Sequence, residues 1–281
     1  MITEAFMAAY LAQAGPRPAG LDRLQARLSA DGMSIAKYVR DERFKVYPIG
    51  GTRKKERAID LTDPKMHPYM SEGSLGKSLD FLKVEEEWLG KAEKATGIGR
   101  EYVTAVLNIE SGFGKNTGDY PAINALVSNY LFYATSRPRD EKTAASYAKR
   151  KDFFYSEIRE LLKFAGETGT KDLFGLTGSY AGAMGPAQFM PSNLRRHKVD
   201  LDGDGFDYRE IPDAIGSCAS LLAAYGGRSD IKAALRGYNN WTSFVDAVDM
   251  HAKVIRSRSG LPPARPAKMP QRKHAQRQKR F

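Results

Sequence analysis

From Leu75 onward the apolar residues recur at helical spacing and almost never alternate, and this constrains the fold more than any other feature of the chain. Leu75, Leu79, Leu82, Trp88, Leu89 and Ala92 fall on one face, and Gly97 stops the run where a helix C-terminus favours glycine. The same reading predicts helices over 2–14, 20–30 and 33–42, then about 100–110, 121–135, 143–167, 186–197, 212–225 and 241–256. Between Arg43 and Met70 the prolines, the Gly50–Gly51 pair and a basic RKKER run predict a loop or small β excursion. Small β elements are expected near 44–62 and 174–182. The fold class is therefore mainly α, of the α+β kind. With 281 residues, 42% of them hydrophobic and 27% charged, the chain can bury one compact core with some decoration. Its one cysteine, Cys218, leaves that core to hold by packing without an internal disulfide.

The net charge of +11 is concentrated at one end. Residues 256–281 hold nine Lys or Arg and no acid, leaving 35 basic and 33 acidic side chains elsewhere, a balance of +2. A segment so rich in Pro, Gln and Arg is expected to be a disordered tail. It suits an anionic polymer or surface, or serves only as a solubilising extension. No run reaches the length of a membrane span. The opening MITEAFMAAYLAQAG carries Glu4 and no basic flank, so it reads as an amphipathic helix and no signal peptide is visible.

Three stretches carry chemistry. In VLNIESGFGKN (106–116), Glu110 lies in the last turn of an apolar helix, where burial and the helix dipole both disfavour its charged form. That suits a general acid, with the following glycines turning the backbone away from a cleft. On local composition alone, a capping or salt-bridged glutamate beside Lys115 is the favoured reading. In GSYAGAMGPAQFMPS (178–192), three glycines and three alanines allow close backbone approach, and Pro186 suits the first turn of a helix. Gln188, Ser179 and Tyr180 could line a sugar-binding groove, or the small residues could serve a tight helix crossing. In DLDGDGFDYREIPD (200–213), Asp200, Asp202 and Asp204 occupy positions one, three and five of a calcium-loop pattern with Gly205 at six. Ile211 stands where a bidentate glutamate is expected, so closure falls to Asp213 or Glu210; a metal-free Asp-Gly turn is the alternative.

Taken in order with AINAL, KRKDFFYSEIRELL, DAIGS and RGYNN, these stretches resemble the lytic murein transglycosylase B family over about 175 residues from Phe81. The resemblance implies a lysozyme-like core over 76–255, preceded by a helical region with its loop or β excursion over 1–75 and followed by the tail over 256–281. It implies a catalytic Glu110, substrate contacts from Ser179, Gln188, Tyr238, Asn239 and Arg150, and a structural Ca²⁺ held by Asp200, Asp202, Asp204, Phe206 and Asp213. No cofactor is implied for catalysis. The implied substrate is peptidoglycan, the place of action the periplasm or cell wall, and the chain a monomer. Glu110, with no evident partner, would protonate the β-1,4 bond between N-acetylmuramic acid and N-acetylglucosamine, then deprotonate the muramyl 6-hydroxyl to close a 1,6-anhydro ring. A hydrolytic muramidase using Asp119 as second carboxylate is one alternative. A non-catalytic peptidoglycan- or nucleic-acid-binding protein acting through its tail is another.

Several features depart from the family pattern. SRPRDEKTAAS (136–146) looks like an insertion that forms a surface excursion near the cleft. Phe244 stands where a second aromatic with a hydroxyl is frequent, and the calcium loop is one residue short. No export signal or lipid-attachment cysteine is visible.

Overall fold

The computed structural model describes residues 18–48 and 68–261. The helix expected over 2–14 and most of the predicted β region and basic tail lie outside these residues. The described part is built on helices. Helix α1 (Leu21–Ala30) and the single turn α2 (Ala36–Val39) come first, and the helix expected over 33–42 shrinks to that turn. No strand forms over 44–48. A 3₁₀ turn at Pro68–Met70 leads into α3 (Glu72–Val84) and α4 (Glu86–Thr96). The sequence reads these two as one helix. Glu85, with φ −99° and ψ 22°, breaks it and re-aims α4.

Helix α5 (Arg100–Ser111) runs through the centre of the molecule, with Val103, Ala105, Val106 and Leu107 fully buried. Beyond it, strand β1 (Tyr120–Pro121) opens α6 (Ala122–Thr135), and α7 (Glu141–Glu167) packs along α6. Asp140 caps α7, accepting from Thr143 N–H at 2.7 Å. The polar 136–146 stretch is therefore mostly the first turns of a long helix, and only Ser136–Asp140 remain as an excursion. Tyr155 of α7 ties α1 on by donating to Asp31 at 2.6 Å and the Arg27 carbonyl at 3.0 Å.

Strand β2 (Thr177–Gly178) pairs antiparallel with β1, Tyr120 opposite Gly178. The residues that follow form a tight hairpin closed by the Met184–Phe189 bridge, where the sequence predicts a helix from 186. Pro186 lies inside this turn, and Pro191 is the proline that opens the next helix, α8 (Pro191–His197). The small residues serve the hairpin, not a helix crossing: a Cβ on Gly178 would collide with the Ala183 carbonyl, and one on Gly185 with that of Tyr208. The chain closes with α9 (Ile211–Ala224), α10 (Ile231–Tyr238) and α11 (Thr242–Ser259). Helix α10 is absent from the predicted set although Asp230 caps it at Ala233 N–H, 3.0 Å. Helix α11 runs past the predicted boundary at 256, taking Arg256 and Arg258 out of the tail and into ion pairs with Glu101 and Glu72. Helices α3, α4, α9 and α11 surround α5, so anything its C-terminal end presents is held from several sides.

Candidate active site

Helix α5 ends at Glu110 and Ser111 because Gly112 adopts φ +60° and Phe113 φ +61°. Nested bonds from Gly112 N–H to the Asn108 carbonyl (2.8 Å) and from Phe113 N–H to the Leu107 carbonyl (3.0 Å) close the helix end. A positive φ is strained for phenylalanine, and the Phe113 ring is held by stacking on Phe81 at 4.2 Å and 16°. The chain thus turns off sharply and leaves Glu110 at the wall of a cleft of about 510 Å³. Pro68, Tyr69, Ser71, Ser74 and Lys77 supply the wall from the preceding turn and α3, and Lys115 and Asn116 line it from the turn after α5.

Glu110 keeps part of its surface open to this cleft, but the protein packed around the rest pushes its carboxyl up to about 7, with burial the cause. It makes no ion pair with Lys115 and, among the described residues, accepts no hydrogen bond, which sets aside the capping and salt-bridge readings. Behind it lies Cys218, whose thiol is pushed upward first by burial and then by the Glu110 charge. Tyr238 is shifted upward in the same way, by burial, by Cys218 and by Glu110. Among the described residues lining the cleft, Glu110 is the only carboxylate. Asp119 is exposed and is not among them.

The Gly185–Phe189 turn is bonded from three directions. Ser111 Oγ donates to the Pro186 carbonyl at 2.7 Å and accepts from Gly114 N–H at 2.8 Å. Gln188 Nε2 donates to the carbonyls of Thr117 (3.1 Å) and Gly185 (2.9 Å). The Tyr238 hydroxyl donates to the Ala187 carbonyl. Through Ser111 these bonds tie the turn that carries Gln188 to the end of α5, and Tyr238 lies near enough to feel the Glu110 charge; Gln188, Tyr238, Ser179 and Asn239 are not among the residues lining the 510 Å³ cleft. Gln188 has φ +48°, a strained setting its own amide bonds sustain, and its Oε1 is left as an acceptor. Ser179 is half-buried at the start of the hairpin, where its Oγ accepts from Ala183 N–H at 3.2 Å. Asn239 follows α10, with Oδ1 accepting from Trp241 N–H at 3.2 Å. Arg150 is exposed on α7 over the Tyr133 ring at 5.7 Å, and no contact ties it to Glu110 or Gln188. Phe244 is buried and stacks beneath Tyr238 at 5.9 Å and 17°, so it supports that ring and has no face for a ligand.

The acidic loop closes through Asp213. Fully buried in the first turn of α9, it accepts from Leu201 N–H at 2.9 Å and from Asp207 N–H at 2.8 Å. Asp200, Asp202 and Asp213 bring carboxylate oxygens within 4.8 Å of one another, and Asp202, Asp204 and Glu210 form a second such group. Asp202 Oδ1 is buried with no hydrogen-bond partner. The Asp204 carboxyl is pushed up chiefly by the charge of Asp202. Phe206 sets its ring edge-on to Phe164 at 6.2 Å, which pins the loop to α7.

Residues silent in the sequence also shape the site: Cys218 behind the glutamate, the Pro68–Met70 wall, and a buried polar group of Ser78, Asn108 and His251. Each lies far along the chain from Glu110 or on another face of its helix, so no local pattern announces it.

A helical body with a two-stranded element beside a cleft lined by a single carboxylate fits a lysozyme-like fold class. Within that class, the family described as Transglycosylase SLT domain matches residues 52–275, and the chain belongs to it. It is 30% identical over 147 residues to the membrane-bound lytic murein transglycosylase B of Escherichia coli K12, a match covering 52% of this chain and 37% of that relative, so it spans little over a third of the relative's length. It resembles the soluble lytic transglycosylase SltB1 of Pseudomonas aeruginosa with a TM-score of 0.59 and 26% identity, over 69% of this chain and 82% of that one. The fold is also shared with E. coli Slt35 in complex with bulgecin A, with a TM-score of 0.70 at 17% identity, over 87% and 95% of the two chains. No helix among the described residues is long and apolar enough to cross a membrane.

Proposed function

We propose that this protein is a peptidoglycan lytic transglycosylase acting at the cell wall, with Glu110 as its single general acid and base. The observation that carries the reading is a lone carboxyl raised to about 7 by burial at the wall of an open cleft. Near neutral pH such a group holds a proton to give and, once ionised, takes one back. Family membership supplies the glycan context.

Protonated Glu110 gives its proton to the oxygen of the β-1,4 bond leaving N-acetylmuramic acid, and the C1–O bond breaks. The positive charge at C1 is carried by an oxocarbenium-like ion or by the neighbouring N-acetyl oxygen. The Glu110 carboxylate then removes the proton of the muramyl 6-hydroxyl as O6 bonds to C1, which restores the acid and yields a 1,6-anhydro end. Water is not consumed. Capture within one sugar has a high effective molarity, so no second carboxylate is needed to activate a nucleophile, in keeping with the lone acid of this cleft. In this reading Gln188, Asn239, Ser179 and Tyr238 meet the glycan where it runs on from the Glu110 cleft, with Gln188 Oε1 accepting from sugar hydroxyls and the Asn239 amide donating to them. Arg150 would meet the strand only further along.

The acidic loop suits a hard divalent cation such as Ca²⁺, held by Asp200, Asp202, Asp204 and Asp213 with Phe206 between them. The partnerless, buried Asp202 Oδ1 supports this reading. The ion would neutralise crowded carboxylates and stiffen the loop; it takes no part in the reaction. Mass spectrometry of digested sacculi tests the reaction: anhydro-muramyl ends are expected, and reducing muramyl ends would mean hydrolysis.

A further inference from the structure

Behind the cleft lies a histidine that the proposed chemistry does not use. His251 of α11 is fully buried, with Nδ1 2.8 Å from the carbonyl oxygen of Tyr69. A carbonyl only accepts, so Nδ1 carries the hydrogen and Nε2 of the neutral ring is an acceptor. On that side Ser78 Oγ stands at 2.8 Å and Asn108 Nδ2 at 3.3 Å. Asn108 donates in turn to Ser78 Oγ at 3.1 Å and to Ser74 Oγ at 2.9 Å. The bonds therefore run in one consistent direction, from the Asn108 amide through the Ser78 hydroxyl and the imidazole to the Tyr69 carbonyl.

This line joins three segments that meet at the cleft. Asn108 lies on α5 two residues before Glu110, Ser74 and Ser78 lie on α3, and Tyr69 belongs to the turn before α3. Tyr69, Ser74 and Asn108 line the cleft itself, while Ser78 and His251 are sealed behind them. A side chain needed only to fill space between α11 and α3 could be apolar, at no cost in unmet polar groups. Here each polar end of the imidazole is spent on a group that carries or braces the cleft.

We propose that His251 is a positioning residue of the Glu110 cleft: it fixes the Pro68–Met70 wall and α3 against the end of α5, and so sets the width of the groove that receives the glycan. The inference rests on the glycan-cleaving reading of Glu110 and adds to it a residue that touches neither substrate nor catalyst. Placement errors of about 1 Å at such a distance can cost about a hundredfold in rate.

The test uses the full chain and two variants, His251→Gln, which keeps one donor and one acceptor, and Ser78→Ala, which removes the middle link with little change in volume. Thermal melts establish folding; KM and kcat on a soluble peptidoglycan glycan are read beside amide exchange over residues 68–78. Folded His251→Gln is expected to raise KM roughly fivefold or more, with the Glu110-dependent pH profile kept in place. Exchange over 68–78 should quicken relative to the α6–α7 pair, and Ser78→Ala should move both readouts the same way by less. Wild-type KM, kcat and exchange in folded His251→Gln would overturn the inference, as would quickened exchange spread evenly over the body with kinetics unchanged. If His251→Gln does not fold, Ser78→Ala decides alone, and unchanged KM and exchange there overturn it. If the wild type cleaves no glycan, the proposed reaction falls instead, and local exchange over 68–78 in the variants decides the inference.

Discussion

Glu110 shows how one residue acquires a function from its surroundings. Helix α5 would hold its place with any polar residue at this turn, yet the carboxyl is wrapped closely enough to be raised from 4.5 to about 7. The folded protein therefore keeps a proton that the unfolded chain has released. The stability tied to that proton is fully present below about pH 4.5 and is lost as pH rises through about 7. A pH series of denaturant melts should show that decline, on the order of 2–3 kcal/mol, and Glu110→Gln should flatten it. Turnover that needs the protonated acid should fall as pH passes about 7. Gln188 poses a different residue-scale question, because its φ of +48° is strained for any side chain. Gln188→Ala loses two amide bonds while keeping the strain, and should cost about 1–3 kcal/mol together with most of the activity. Gln188→Gly should recover part of the stability in the same melts and none of the activity.

At the scale of elements, the loop from Asp200 to Asp213 behaves as a brace for α9 as well as a cation site. Asp213→Ala removes the acceptor of two backbone N–H groups and should lower stability by about 1–3 kcal/mol even in the presence of a chelator. Calcium should raise the melting temperature of the wild type and shift Asp202→Asn less; no shift in the wild type would leave the loop without a cation role. Much at this scale is legible in the sequence. The periodicity places α5, α7, α9 and α11 within a few residues by their apolar spacing, and α6 as an apolar run whose residues 122–131 are buried on every side. It fails where geometry is set by distant partners. Small residues and a proline at 178–186 read as a helix start, but the collisions that demand glycine there come from Ala183 across the hairpin and from Tyr208 of the acidic loop. The break at Glu85 is set by one residue's backbone and leaves α4 packed on α9, and residues 141–146 of the polar stretch are helical with Asp140 as their cap. Of the site, Glu110 and the aspartates are visible as residue types in a pattern. Cys218 and His251 are not, because only the packed fold brings them behind the cleft.

In the whole molecule, one wall of the cleft is held by α3 and α11 and the other is the end of α5 with Glu110 and the turn after it, which Ser111 bonds to the Pro186 carbonyl. The body is close to neutral, while residues 262–281 carry seven of the basic side chains and no acid. Deleting 262–281 should leave the melting temperature of the body and the chemistry of its products unchanged, while reducing adsorption to sacculi at low salt more than at high salt. Retained adsorption at low salt would show that this segment does not engage the wall. One carboxyl, Glu110, is proposed to serve as both acid and base. Its most direct test is product analysis on purified sacculi with wild type and Glu110→Gln side by side. Anhydro-muramyl ends are expected from the wild type and a loss of about 10²–10⁴-fold in Glu110→Gln, with the variant still folded. Undiminished release by Glu110→Gln, or reducing muramyl ends from the wild type, would contradict it.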